Sequence, residues 1–390
     1  MQKYNKILRY FVNLLRKYGD LCSQSRKRMK LRSKSYLQWV LPGILILLIL
    51  ILRWNPVCAE VYSLSIYPVI SSLLSFFSAL FPFSVGDCFI LGACLWLILY
   101  PFYAWYKRKN IKIILKNILF FLTWIYIWFY LAWGINYFRL PFYERTGIEQ
   151  VKYSDSLFQE FLAEYTDALN QSYRAAGDTL GRWYTEPYSD SRFMITMPLE
   201  EEVGDGYRNI ALRYGMVQPA EELKVKNMLF SRGISKVGVT GYMGPFFSEF
   251  NLNYELLNVE YPFTYAHELS HRLGIAGEAE ANLYAYLVTT ASEYPEIRFS
   301  GYFSLLGYVL NNARRLLPEE EFRQLVQEIR PEIIELYREH LDYWRDKYSP
   351  WIGRLQNRLY NAYLKGNKIS SGTGNYSEVI GLLMSLREGL

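Results

Sequence analysis

Cysteine and histidine are both scarce in this chain of 390 residues. The four cysteines are Cys22, Cys58, Cys88 and Cys94, and none follows. The rest of the chain can therefore hold neither a disulfide framework nor a thiolate metal site. Histidine occurs three times, at His267, His271 and His340. Charge is also thin at 21%, against 51% hydrophobic and 17% aromatic residues. Such a composition excludes a disordered, collagen-like or coiled-coil protein.

What charge there is falls unevenly. Residues 1–35 hold 11 Lys/Arg and one acid, a net +10; residues 36–134 come to +4, leaving −8 for the remainder of a chain whose total is +6. A basic head on an acidic body can mark a nucleic-acid binder, but long apolar runs lie between them. The expected partner is the lipid bilayer, not nucleic acid.

Three uncharged runs predict membrane spans at about 36–53, 88–106 and 117–138. Trp and Tyr near their ends fit an interfacial belt. A fourth uncharged stretch, Val61–Gly86, carries Ser71, Ser75 and Ser78 at helical spacing and is bracketed by Pro68 and Pro82. That polar stripe suggests an interfacial helix over about 68–81, lying at the surface or packed on the spans. With three spans, the basic head and the basic loop Lys107–Lys116 share the cytoplasmic side, and everything after 138 lies outside. A fourth crossing would put that loop outside, against the positive-inside rule. The expected location is thus the cytoplasmic (inner) membrane, multi-pass, with an extracytoplasmic body. Thirty-five residues precede the first run and no small-residue cleavage site follows it, so it does not read as a signal peptide.

The division expected is a basic cytoplasmic segment 1–35, a membrane region 36–138 and a body 139–390. In the body, helical patterning dominates. Ser154–Ala176 reads as an amphipathic helix with Ser154 as N-cap and Gly177 as its stop. Leu199–Tyr214 and Leu223–Phe230 are further helix candidates. Lys236–Tyr242 and Phe247–Asn253 are strand candidates, and from Pro262 onward the chain reads as helix, with breaks at Gly274–Gly277, Pro295, Pro318 and Ser370–Gly374.

The chemistry concentrates in AHELSHRLGIAGEAEAN, residues 266–282. Positions i and i+4 share a helix face, so His267 and His271 can reach one Zn²⁺. Glu268 lies beside them as general base toward a water whose pKa the zinc lowers. A catalytic zinc needs a third protein ligand, and with no cysteine or further histidine nearby it should be a carboxylate. Gly274 and Gly277 can end one helix and turn the chain, placing Glu278 in the first turn of the next. Glu280 is the other candidate. Glu278 is preferred, because only it has Asn282 at i+4 on its own face; Glu278-x-x-Ala281-Asn282 also resembles an element of several glutamate-ligand zinc peptidases, which implies that Asn282 braces a ligand from behind. Tyr242, Tyr284 and Tyr302 are weak candidates for an oxyanion donor, since any one of 35 tyrosines carries little weight. His340, in the charged stretch REHLDYWRD, reads as a solvated histidine.

These pieces resemble the bacterial family catalogued as domain of unknown function 3810. The matching elements are Asn55-Pro56 after the first span, Pro82-Phe83-Ser84-Val85-Gly86-Asp87 before the second, Gly241-Tyr242 with Pro245-Phe246 and Glu249, and the H-E-x-x-H to Glu278-x-x-Ala281-Asn282 block. The role of Glu249 stays open. The resemblance implies a mainly α, α+β zincin-like domain with a small sheet, behind an α-helical membrane region. The implied activity is peptide hydrolysis on a peptide or protein substrate, with Phe247–Asn253 as the candidate edge strand for it. The alternative is a non-catalytic membrane scaffold or assembly factor with a structural or decayed zinc site. Few ionisable residues in the spans argue against a transporter.

Overall fold

The structure is a computed structural model that describes residues 37–176, 184–187, 198–219, 225–369 and 378–388. The basic segment 1–35, Gly177 and the expected break at Ser370–Gly374 lie outside the described residues.

Helix α1, Leu37–Trp54, ends where Asn55 accepts hydrogen bonds from the backbone N–H of Val57 and Cys58, with Pro56 opening the next helix. That cap is the physical content of the Asn55-Pro56 pair. Helices α2 (Pro56–Ser65) and α3 (Tyr67–Ala79) form a pair bent by 43° at Ile66. Helix α4 spans Val85–Tyr106, and α5 spans Ile111–Ala132. By length and composition α1, α4 and α5 can each cross a membrane, and the bent pair would make a fourth crossing if it acts as one span.

Two expectations need correction here. The third apolar helix is 111–132, not 117–138. Asn110 caps it by accepting from Lys112 N–H, so Lys112 and Lys116 belong to its first turns, where long aliphatic stems let charge reach the interface. At the other end Trp133 leaves helical geometry, and Gly134–Phe138 forms a 3-10 turn packed into the body. The serine stripe of α3 faces protein, as the packed alternative has it, but it packs on the body as well as beside the span α5. Ser71 and Ser78 are buried, Ser75 Oγ accepts from Arg272 at 2.6 Å, and Ser78 O accepts from Lys226 Nζ at 2.6 Å.

The body contains α6 (Phe142–Thr146), α7 (Asp155–Ala176), α8 (Leu199–Ala211), β1 (Lys226–Asn227), α9 (Ser231–Ser235), β2 (Gly241–Gly244) and β3 (Glu249–Leu252). Then come α10 (Tyr261–Arg272), α11 (Glu278–Thr290), α12 (Pro295–Leu316), α13 (Glu319–Glu328), α14 (Pro331–Lys347), α15 (Pro350–Gly366) and α16 (Val379–Glu388). Ser154 Oγ accepts from Leu157 N–H at the start of α7, as its cap position predicts. The sheet order is β1-β3-β2, with β1 parallel and β2 antiparallel to β3. The expected helix Leu223–Phe230 instead contains β1, and Leu223 itself lies outside the described residues. The expected edge strand is the central one: β3 is buried on both faces, which removes the alternation a half-buried strand shows. The edges are β1 and β2, and β2 begins five residues after the start predicted for it.

A large core joins α7, α8, α10, α11, α12 and α16 around Phe158, Tyr207, Leu269, Tyr284 and Phe299. Each such side chain contributes about 1.5–3 kcal/mol on burial. A second cluster ties Ile49, Tyr62, Tyr67, Ile127 and Trp133 of the membrane region to Met243 and Ala276 of the body. The boundary at 138/139 is therefore a packed junction.

Candidate metal centre

Pro262 fixes the first turn of α10, and Glu260 holds its entry by accepting from Leu257 N–H at 3.2 Å. Two turns on, His267 and His271 project from one face. Leu273 closes the helix, and Gly274 takes φ +87°, left-handed backbone that favours glycine. The space is closed as well: a Cβ there would lie 3.3 Å from Asn136 Oδ1 and 3.4 Å from the Arg139 guanidinium. This tight return lets α11 begin at Glu278, against the histidines. Ala281 is fully buried where α11 packs on α10.

His267 Nε2 and His271 Nε2 are 3.1 Å apart, and Glu278 Oε2 is 3.2 Å from the first and 3.4 Å from the second. Zinc bonds of about 2.0–2.1 Å in a tetrahedron give donor–donor edges of about 3.3–3.4 Å, so the triangle has the size of one face of such a site. Donor chemistry agrees. His271 Nδ1 lies 2.7 Å from Ile275 O. A carbonyl only accepts, so in neutral His271 that nitrogen carries the proton and Nε2 presents a lone pair to the centre. Burial alone would lower the pKa of His271, but the adjacent Glu278 carboxylate pushes it up to about 9. Burial would likewise raise that of Glu278, and the charge of His271 holds it well below the usual carboxylate range. The upward shift of His271 reflects the negative charge that Glu278 places where a cation would sit.

Glu268 is 4% exposed, and its Oε2 has no hydrogen-bond partner. Burial pushes its pKa up to about 7, against the pull of His267 and His271. Strand β2 crosses directly over it: a Cβ at Gly241 would lie 2.5 Å from Glu268 Oε1. Both groups line a cavity of about 990 Å³, bounded by β2, α10, α11, α12, α14, α15 and the Trp133–Tyr137 turn.

The remaining sequence candidates separate clearly. Glu280 pairs with Arg145, which draws it away from the histidines. Asn282 lines the cavity beside Tyr308, and its Nδ2 has no partner; it bonds neither histidine. Tyr242 lines the cavity too, but its hydroxyl donates to Asp87 at the start of α4. Tyr302 packs on Tyr165 and Tyr286 away from the cavity, and Tyr284 is buried against Arg145. His340 is not solvated. Its Nε2 lies 2.7 Å from Glu260 Oε1, its ring stacks on Tyr337, and it lines the same cavity as the other two histidines.

Sequence reasoning missed Tyr360, whose hydroxyl donates to Glu278 Oε1 at 2.6 Å. It also missed Trp133, which donates to His271 O at 3.2 Å, and Arg139, which grips Glu60 through two nitrogens and the carbonyls of Gly274 and Gly215. Glu249 now has a role as well. It accepts from Val85 and Gly86 N–H, pairs with Lys226 Nζ at 2.6 Å, and so caps the first turn of α4.

The chain matches the family described as Protein of unknown function (DUF3810) over residues 62–384. It belongs to that family. The match takes in the end of α2, all of α3, α4 and α5, and the whole centre of this DUF3810 protein. No curated protein and no solved structure matches the chain.

Proposed function

We propose that this DUF3810 protein is a membrane-anchored zinc-dependent metallopeptidase, hydrolysing peptide bonds on the outer side of the cytoplasmic membrane. The observation that carries the reading is the convergence of His267, His271 and Glu278 beside an unpartnered, buried Glu268. Those three residues would hold the ion, which when bound supplies Lewis acidity and a lowered pKa for water. Glu268 accepts the proton of the attacking water and later returns it to the departing amine. The cavity leaves an open side for a scissile carbonyl, and the outer edge of β2 offers backbone groups to an extended peptide. A scaffold would have no use for a buried carboxylate without a partner, which is costly to keep.

Metal analysis of the purified full chain tests the site: about one zinc per chain is expected, lost in His267→Ala. Glu268→Gln should keep zinc and fold yet lose about 10²–10⁴-fold in turnover, because the amide cannot accept the proton. Expressed in the native membrane, that variant should accumulate uncleaved partners. Equal turnover of wild type and Glu268→Gln on a confirmed substrate would remove the glutamate from the mechanism; bound zinc with no cleavage of any peptide would leave the scaffold. Reporter fusions after Phe138 and at Leu390 test the orientation, and a cytoplasmic signal from both would overturn it.

A further inference from the structure

Helix α15 has three faces of different chemistry. One looks into the cavity and carries Tyr360, whose hydroxyl holds Glu278. A second carries Trp351, Leu355 and Leu359 at i, i+4 and i+8, which are 70%, 52% and 65% exposed. Residues at that spacing form one stripe, and it stays exposed among the described residues. The third is a row of Arg354, Arg358 and Lys365 along one border of the stripe, and α15 contains no acidic residue.

The position of this helix is fixed relative to the spans. Tyr363 packs against Phe129 of α5 and Tyr137 of the turn that follows, with ring centroids 6.1 and 5.8 Å apart. Just beyond the helix, Asn367 Oδ1 accepts from Tyr130 of α5 at 2.9 Å, and Lys368 lies over the Phe138 ring. The carboxyl end of α15 is thus moored at the point where α5 leaves its apolar run. A second exposed apolar pair, Leu229 and Phe230, sits at the start of α4, where Leu229 N–H donates to Asp87 at 2.9 Å. Because α4 and α5 are joined by one short loop, the start of α4 and the end of α5 lie on the same side of the membrane. The mooring of α15 and the Leu229–Phe230 pair therefore lie on the same side of the membrane, beside the ends of the spans.

We infer that α15 lies in the surface of the bilayer, with Trp351, Leu355 and Leu359 among the acyl chains and Arg354, Arg358 and Lys365 on anionic phospholipid headgroups. An apolar stripe flanked by basic residues, with tryptophan at one end, is the pattern of an interfacial helix. Basic side chains near an anionic surface add attraction that a zwitterionic one lacks. Since the opposite face holds Glu278, the helix joins the membrane surface to the candidate metal centre and sets the cavity beside the headgroups.

The test is depth measurement on the full chain in bilayer nanodiscs, and it does not depend on peptide hydrolysis. With Cys22, Cys58, Cys88 and Cys94 replaced by serine, a fluorophore is attached at Leu355→Cys or, as reference, at Glu320→Cys on α13, which packs on α7 and α12. Lipids carrying a nitroxide near the headgroup should quench the probe at 355 at least about threefold more than the probe at 320. Replacing a third of a zwitterionic lipid by phosphatidylglycerol should deepen quenching at 355, and Arg354→Gln with Arg358→Gln should abolish that increment. Equal quenching at 355 and 320 overturns the inference. So does copy-to-copy disulfide formation at 355 without quenching, which would make a second chain the occupant. Quenching that ignores lipid charge overturns the headgroup assignment.

Discussion

The hydroxyl of Tyr360 is the most direct handle on the candidate centre, because its removal leaves every presumed ligand in place. Tyr360→Phe deletes one hydrogen bond, 2.6 Å long, to the Glu278 oxygen that does not face the histidines. A hydrogen bond to a charged group contributes about 1.5–3 kcal/mol. Tyr360 is only partly buried, so water can replace some of that, and the lower end, about 1.5–2 kcal/mol, applies. At about 1.4 kcal/mol per decade, zinc affinity should fall roughly 10–30-fold. That agrees with the 10–100-fold typical of partners that orient metal ligands. Competition between the purified full chain and a chromophoric chelator measures it, with Tyr302→Phe as reference, since that residue lies away from the cavity. Zinc affinity within about twofold of wild type would refute the reasoning. So would a drop in turnover at unchanged affinity, which would make Tyr360 a donor to the substrate instead.

Two further outcomes follow from the same cavity. Gly241→Ala should preserve zinc binding yet depress turnover, because the added methyl would lie 2.5 Å from Glu268 Oε1 and must displace the carboxylate; unchanged turnover would show that β2 can yield. His340 has its pKa raised, burial opposing and the Glu260 carboxylate prevailing. Its contribution to stability is therefore complete below the unfolded value near 6.5 and is lost as pH rises through the higher folded one. The difference in thermal midpoint between wild type and His340→Gln should be largest near pH 6 and shrink toward about pH 9, and a difference that grew with pH would contradict the Glu260 pairing.

The features legible in the sequence are those written into a short stretch of chain. Spans, the i and i+4 histidines and the turn to Glu278 need only helical periodicity, two glycines and a capping carboxylate. What escaped depends on distant residues. Tyr360 and Glu278 are 82 positions apart, and Glu260 and His340 are 80 apart. One tyrosine among 35, or a histidine on a charged helix, carries no local mark of its partner. In the small sheet the strand Phe247–Asn253 was legible, but its place was not. It is central and buried on both sides, so it lacks the alternation that separates an edge from a core strand, and the two-residue β1 is too short to show a pattern. The serine stripe of α3 was correctly seen as polar, but its partner, Arg272, lies 197 residues further along.

These long-range pairs also decide what the membrane region is for. Arg139, with 3% of its side chain exposed, pairs with Glu60 of α2 while holding the carbonyl of Gly274, the residue that turns the chain toward Glu278. Tyr67 of α3 donates to Arg272 O at 2.8 Å, and Trp133 donates to His271 O. The membrane helices thus form one wall of the centre. Cutting the chain at 138/139 would leave Arg139 without Glu60, and breaking a buried ion pair costs about 3–5 kcal/mol. It would also free Lys226 and Glu249 from the start of α4 and uncover Met243 and Ala276. Against a typical stability of about 5–15 kcal/mol, residues 139–390 alone should be largely unfolded or bind zinc far more weakly than the full chain. Circular dichroism and chelator competition on that fragment measure both, and a cooperatively folded fragment with full zinc affinity would show that the membrane region is only an anchor.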